Sequence, residues 1–211
     1  MGRSIRSPCR RNRGEPLADR TDNFNRTDSS TTLNSPSDAG GNYTVGSGTW
    51  GISSNRGYNV SNGTNETVVL ESSQSDVTVQ ATYSTFNAGA GLCARWADDS
   101  NHLLFIADAG TGFRLYKKVA GSFTQLGSTD TSTPTSGDVC KIVCNGTSIK
   151  CYRNNVELTN LTVTESAGQT NTKHGLISRA DTLSFWDDFS ITGLGGGAAA
   201  TYPSLALMGV G

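Results

Sequence analysis

Five cysteines, two histidines and 18 acidic residues are the positions in this 211-residue chain whose types could support nucleophilic, metal or acid–base chemistry. Their spacing narrows that chemistry quickly. The five thiols, Cys9, Cys93, Cys140, Cys144 and Cys151, cannot all pair within one chain, so at least one is free. The stretch from Cys140 to Cys151 holds Asn145-Gly146 between two β-rich runs, a strong hairpin signal. A two-residue turn there sets Cys140 opposite Cys151, at a separation a disulfide could bridge. The reading we favour keeps the thiols reduced, because Cys140, Ile142, Cys144, Ile149 and Cys151 share one face and reduced cysteine packs as a small hydrophobe. With only His102 and His174 to join them, no spacing makes a zinc site. The glutamates are scattered, and the pairs Asp98-Asp99 and Asp187-Asp188 point their members to opposite faces if extended. The sequence has no Gly-x-Ser-x-Gly elbow, His-Glu-x-x-His pair or phosphate loop.

The elements that position these residues are strands. From Asp76 to Tyr83, Val77, Val79, Ala81 and Tyr83 alternate with Thr78, Gln80 and Thr82, the pattern of a half-buried strand. Similar short runs are predicted at 22–26, 49–52, 57–60, 66–70, 90–96, 102–107, 112–119, 122–126, 139–144, 148–153, 156–163, 174–178 and 183–192, separated by Gly, Asn and Asp turns. No amphipathic helix longer than about ten residues is visible. Composition agrees: hydrophobic residues are 35%, charged residues 17%, and 25 glycines supply turns, which excludes a charged disordered chain and a coiled coil. So many strands in one domain imply two stacked antiparallel sheets, an all-β sandwich.

Both ends of the chain depart from this pattern. Residues 1–20 hold six arginines against two carboxylates, leaving the remainder acidic in a chain of net charge −1. No aromatic residues interleave with these arginines to stack on bases, which argues against nucleic acid. The apolar core of a secretory signal is absent after Met1, so synthesis is expected in the cytoplasm without a signal peptide. No stretch approaches the ~20 apolar residues of a spanning helix, and membrane insertion is not expected. At the far end, a Gly/Ala linker from Gly193 carries a short apolar tail with Tyr202, Leu205, Leu207 and Met208. Such a tail can dock on a neighbouring subunit, as an added strand or in a groove, or fold back on its own domain. The organisation is thus a basic arm at 1–20, one domain at 21–193 and a linker with tail at 194–211. Asparagine sequons at Asn25, Asn42, Asn59, Asn62, Asn65, Asn145 and Asn160 are a by-product of the Ser/Thr-rich composition.

The order of four segments carries a family likeness. These are Gly89 to Ile106 with its Cys-Ala-Arg95-Trp-Ala-Asp-Asp core, Gly112-Phe-Arg-Leu-Tyr-Lys117, Lys141 to Val156, and Phe185-Trp-Asp187-Asp188-Phe-Ser-Ile191. With Asp22-Asn-Phe-Asn-Arg26 and Gly48-Thr-Trp-Gly-Ile52, they resemble the laminin-G-like branch of the concanavalin A-like lectin/glucanase superfamily over roughly residues 22–193. The fold implied is a jelly roll, which hosts lectins, glycosidases, adhesive modules and virion proteins alike. Glucanase relatives place two catalytic glutamates on one strand, ~5.5 Å apart for retaining cleavage. This chain has no such cluster, so an enzyme is not expected. The resemblance also implies a structural Ca²⁺ where the first and last strands meet, with Asp22 and Asp187 or Asp188 at matching positions, carboxylates being suitable hard ligands. It places Arg95, Asn101 and Tyr116 on the concave sheet as a candidate glycan face, with Trp96 nearby; the three tryptophans are better read as core than as sugar platforms.

The expectation is a non-enzymatic structural or decorating component of a bacteriophage virion or comparable extracellular assembly. Its lectin-like jelly roll would face outward, with surface glycan as ligand and copies of itself or other assembly subunits as partners. A secreted bacterial carbohydrate-binding module with a misassigned start is the alternative, and a glycan-active enzyme domain is third.

Overall fold

The computed structural model of the chain describes residues 19–33 and 41–194. Except for residues 19, 20 and 194, the basic arm and the linker with its tail, including Tyr202, Leu205, Leu207 and Met208, lie outside the described residues, as does Cys9.

Alternating burial builds the strands. Residues Val77 to Tyr83 alternate between buried and half-buried as the sequence predicts, because one face of the strand meets the core and the other carries hydroxyl and amide side chains. In chain order the strands are β1 (Arg20–Asp22), β2 (Thr44–Val45), β3 (Trp50–Ile52), β4 (Gly57–Asn59), β5 (Glu66–Glu71), β6 (Val77–Thr85), β7 (Gly89–Asp98) and β8 (Asn101–Asp108). They continue with β9 (Gly112–Val119), β10 (Ser122–Asp130), β11 (Val139–Asn145), β12 (Ser148–Arg153), β13 (Val156–Glu157), β14 (Val163–Thr164), β15 (Lys173–Ser178) and β16 (Phe185–Gly193). Two antiparallel sheets result. One runs β13-β12-β11-β6-β16-β4-β3, with β1 added on β16 and β14 on β12; the other runs β10-β9-β8-β7-β15-β5-β2. Strands distant in sequence lie side by side, as β6 with β16 and β7 with β15, which is the jelly-roll pattern of crossovers. Among the described residues no helix is long and apolar enough to cross a membrane.

The main core lies between the sheets. Trp50 and Trp186, both buried with ring centroids 5.5 Å apart, occupy one part of it, and Phe105 and Phe113, 5.9 Å apart, another. Each such side chain contributes roughly 1.5–3 kcal/mol by leaving water. Cys140, Ile142, Cys144, Ile149 and Cys151 share the inner face of their hairpin, all fully buried. The cysteines at 93, 140, 144 and 151 are free thiols.

Three local expectations are corrected. The first strand spans Arg20–Asp22 rather than 22–26, because Phe24 turns into the left-handed region at φ 53°. The segment 156–163 is not one strand: a 3-10 turn at Thr159–Leu161 divides it, and its three-residue period lets both Leu158 and Leu161 reach the core. In the β11–β12 hairpin the turn residues are Gly146 and Thr147, so Cys140 pairs with Arg153 and Cys151 with Ile142. The geometry for a Cys140–Cys151 bridge is therefore not met.

Candidate functional site

A second apolar cluster lies on the outer face of the seven-stranded sheet, away from the main core. Alternation along the central strands sends Leu92, Leu103, Phe105 and Leu176 inward and Cys93, Leu104, Ile106 and Ile177 outward. A continuous row of cross-strand partners runs across this face as Tyr116, Leu104, Cys93, Gly175 and Val69. These apolar side chains are buried, with Tyr116 packed against them as a half-buried edge. The Cys93 thiol in this floor is pushed well above the ordinary range by burial, so it is not a nucleophile.

At the Tyr116 end the floor opens into a cleft of about 210 Å³ lined by Asn65, Ile106, Tyr116, Phe123 and Arg179. Phe123, on edge strand β10, is 46% exposed and meets Tyr116 edge-on, with centroids 6.4 Å apart. Asn65 enters from the loop before β5, with a left-handed φ of 58°. Three cations surround the two rings. The Arg114 guanidinium lies 5.5 Å from the Tyr116 centroid, Lys118 Nζ lies 4.9 Å from that of Phe123, and Arg179 lines the cleft itself. Asp108 accepts from Arg114 and, at 3.0 Å, from Arg179. A second cleft of about 280 Å³ lies at the other end of β8, with Asn101, His102, Lys118, Val119, Ala167 and Asn171 in its lining.

The structure separates the three residues expected on the glycan face. Tyr116 is on the cleft wall. Asn101 lines the second cleft, where its side chain donates to Asp98 at 2.9 Å and accepts from the Ala120 amide at 3.0 Å. Arg95 does not share the face at all. A bulge in β7, with Arg95 at φ 51° and register shifts against both neighbouring strands, turns its side chain between the sheets. There it is 0% exposed and donates to Ser75 O at 3.2 Å, Asp76 Oδ1 at 3.2 Å and Gly146 O at 2.7 Å. The same bulge sends Trp96 outward, where it is buried beneath Lys173, with Nζ 5.3 Å from the ring. Phe123, Asn65 and Arg179 escaped the sequence reading. Only Phe123 leaves a trace there, as an aromatic in the otherwise polar run Ser122-Phe-Thr-Gln125.

The candidate metal carboxylates come from paired strands, since β1 lies against β16 with Asp22 opposite Phe189. Asp22 and Asp188 line one depression. The Asp22 carboxylate, however, accepts from both terminal nitrogens of Arg26, at 2.6 and 2.8 Å, from Tyr43 Oη at 2.8 Å and from the Phe24 amide at 2.7 Å. Burial raises the Asp187 pKa, and its Oδ1 accepts from the Asp188 amide. Among the described residues no group of three or more His, Cys, Asp or Glu is arranged to hold a metal. A donor set whose buried carboxylate already chelates a guanidinium does not fit calcium.

No protein-family model matches the chain, and no curated protein matches it. Solved structures do. The carbohydrate binding module CBM66 from Bacillus subtilis matches with a TM-score of 0.59 and 18% identity, over 71% of this chain and 94% of that one. A galectin from Caenorhabditis elegans matches with a TM-score of 0.44 and 13% identity, over 67% and 97%. Domain 4 of an extracellular arabinanase from Geobacillus stearothermophilus, in complex with arabinotriose, matches with 0.43 and 14%, over 84% and 91%. The likeness to the Bacillus module shows the fold, a two-sheet antiparallel jelly-roll sandwich, which is the fold the sequence resemblance implies.

Proposed function

We propose that this chain is a non-enzymatic glycan-binding jelly roll that holds its ligand on the outer face of the seven-stranded sheet. The observation that carries this reading is the Tyr116–Phe123 corner, two rings at 84° beside an amide and a guanidinium over an apolar floor. A pyranose offers a C–H face to a ring and hydroxyls to polar groups at its rim, and this cleft supplies both. The likeness to a carbohydrate binding module supports the same reading. The carboxylates support a non-catalytic role. Asp108 is engaged by two arginines, and none of the five residues lining the cleft is acidic, whereas glycoside cleavage needs two carboxyl groups across the bond. Tyr116→Ala is expected to weaken glycan binding by about 1.5–2 kcal/mol, roughly tenfold to thirtyfold, with folding intact because only the outer face changes. Titration calorimetry on ligands found by a glycan array measures this. Unchanged affinity in Tyr116→Ala, or an array without binding, would remove the proposal.

The wider role is a structural or decorating component of a virion or similar extracellular assembly. A lectin-like domain followed by a linker and an apolar tail supports that role, since a tail with Tyr202, Leu205, Leu207 and Met208 gains by burial against a neighbour. The full chain is expected to form oligomers or filaments, and a version ending at Gly193 to be monomeric, by light scattering and negative-stain microscopy. Identical monomers from both would discard tail-driven assembly and favour a free-standing carbohydrate-binding module.

A further inference from the structure

We propose that the Tyr116–Phe123 cleft selects an anionic glycan, one carrying a carboxylate or sulfate group, over its neutral counterpart. This inference rests on the glycan-binding reading and names the class of ligand that the same cleft takes. Its basis is the local charge. Arg114, Lys118 and Arg179 stand around the two rings, and Asp108 is the acidic partner of both arginines. The site is therefore cationic in a chain whose net charge is −1. Binding a neutral sugar calls for rings and hydrogen bonds but not for three gathered cations, which repel one another across a partly apolar surface.

Arg179 also has capacity to spare. Among the described residues, the side chain of Arg179 bonds to Asp108 through Nη1, and its remaining N–H groups are unused; the side chain is 37% exposed. Arg114 bonds to Asp108 through Nη2 and its Nε is buried, so it contributes charge rather than an open donor. A guanidinium presents a planar fork of donors that matches a carboxylate or sulfate and binds it more strongly than a neutral hydroxyl. The acid group of a sugar stacked on Tyr116 would approach the exposed edge of Arg179, with Asn65 on the same cleft wall available to a ring hydroxyl. Lys118 over Phe123 adds attraction at longer range, which salt would screen.

The test uses the full chain and paired probes that share a backbone and differ in whether they carry the anionic group. Oligogalacturonides are compared with their methyl esters, which have the same backbone without the carboxylate charge, and dextran sulfate with dextran. An acidic probe is expected to bind about tenfold more tightly than its neutral partner at low salt, with the advantage shrinking as salt rises. Preference for oligogalacturonides alone assigns the anion as carboxylate, for dextran sulfate alone as sulfate, and for both as either. Arg179→Ala, with Arg179→Gln as a milder second variant, should abolish the preference while thermal melts show the fold retained. Equal binding within both pairs would overturn the charge selection and leave glycan binding standing. A preference that persists in both Arg179 variants would overturn it too, by placing the anion elsewhere. Absence of binding to these four probes and to every glycan of the array would remove the underlying reading, and the selection with it.

Discussion

Arg95→Ala should lower the free energy of unfolding by about 3 kcal/mol, more than any substitution on the exposed side of the cleft. The side chain starts on β7 of one sheet and reaches Ser75, Asp76 and Gly146, which belong to the other sheet and its loops, so a single guanidinium ties the two layers at one end. Two of its acceptors are backbone carbonyls that lose a charged donor, each such bond contributing roughly 1.5–3 kcal/mol. Some of the loss is offset, because the Asp76 side chain is 45% exposed and water can solvate it once the cation has gone. Asp76→Asn should for that reason cost less, about 1 kcal/mol. Urea denaturation of the two variants measures the difference. A midpoint for Arg95→Ala within error of the parent protein would show that the bulge holds without its side chain.

The same contact explains where the sequence misleads. Simple alternation after Leu92, Cys93 and Ala94 puts Arg95 on the outer face, and nothing local announces the bulge that returns it to the interior. The demand comes from Asp76 and Gly146, which are remote in sequence. Gly146 is held from both sides, its amide donating to Asp76 Oδ1 at 2.9 Å and its carbonyl accepting from Arg95. That anchoring coincides with a hairpin turn at Gly146-Thr147, one residue beyond the position Asn-Gly preference suggests. The face assignment survived because moving the turn by one residue changes each partner by two, which preserves inward and outward alternation. Cys140, Ile142, Cys144, Ile149 and Cys151 are therefore buried together as expected, although their partners differ. The sandwich was legible because β6 and its neighbours state their two faces residue by residue. The cleft was not, apart from Tyr116, because Asn65, Phe123 and Arg179 come from three separate segments brought together by strand order. Trp96 shows the same limit. It is core-like in burial, yet it lies on the outer face because the bulge shifts it there.

Acid should destabilise the protein through His174, by about 3 kcal/mol between pH 6.5 and about 4. This imidazole is fully buried beside the bulge, and its Nδ1 accepts the Arg95 amide at 3.1 Å. That bond leaves the proton on Nε2, which faces the Gln74 carbonyl at 2.9 Å. Burial is the main cause that lowers its pKa from 6.5 to about 4, with the Arg95 charge acting in the same direction and the Gln74 carbonyl and Glu71 opposing. The unfolded chain takes up the proton near pH 6.5 and the folded chain only near 4, so between these values the unfolded state binds more protons and stability falls as pH falls. Above pH 6.5 the contribution is complete, and below about 4 nothing further is lost at this site. His102, also lowered chiefly by burial, adds a slope of the same sign. Carboxylates held low by their partners, such as Asp181, which accepts from Ser184 and three backbone amides, act in a more acidic window. His174→Gln keeps a side chain able to hydrogen-bond at this position and cannot titrate. It should flatten most of the pH dependence between 6.5 and 4 while leaving the smaller slope from His102. Urea midpoints measured at half-unit intervals across that range decide the matter, and parallel curves for the parent and the variant would exclude His174 as the source. Because the imidazole holds the amide of the residue that turns Trp96 outward, its protonation should loosen the outer-face floor before the rest of the sandwich opens. Loss of protection from hydrogen exchange at Arg95 and Trp96 ahead of the β6 amides would reveal that order.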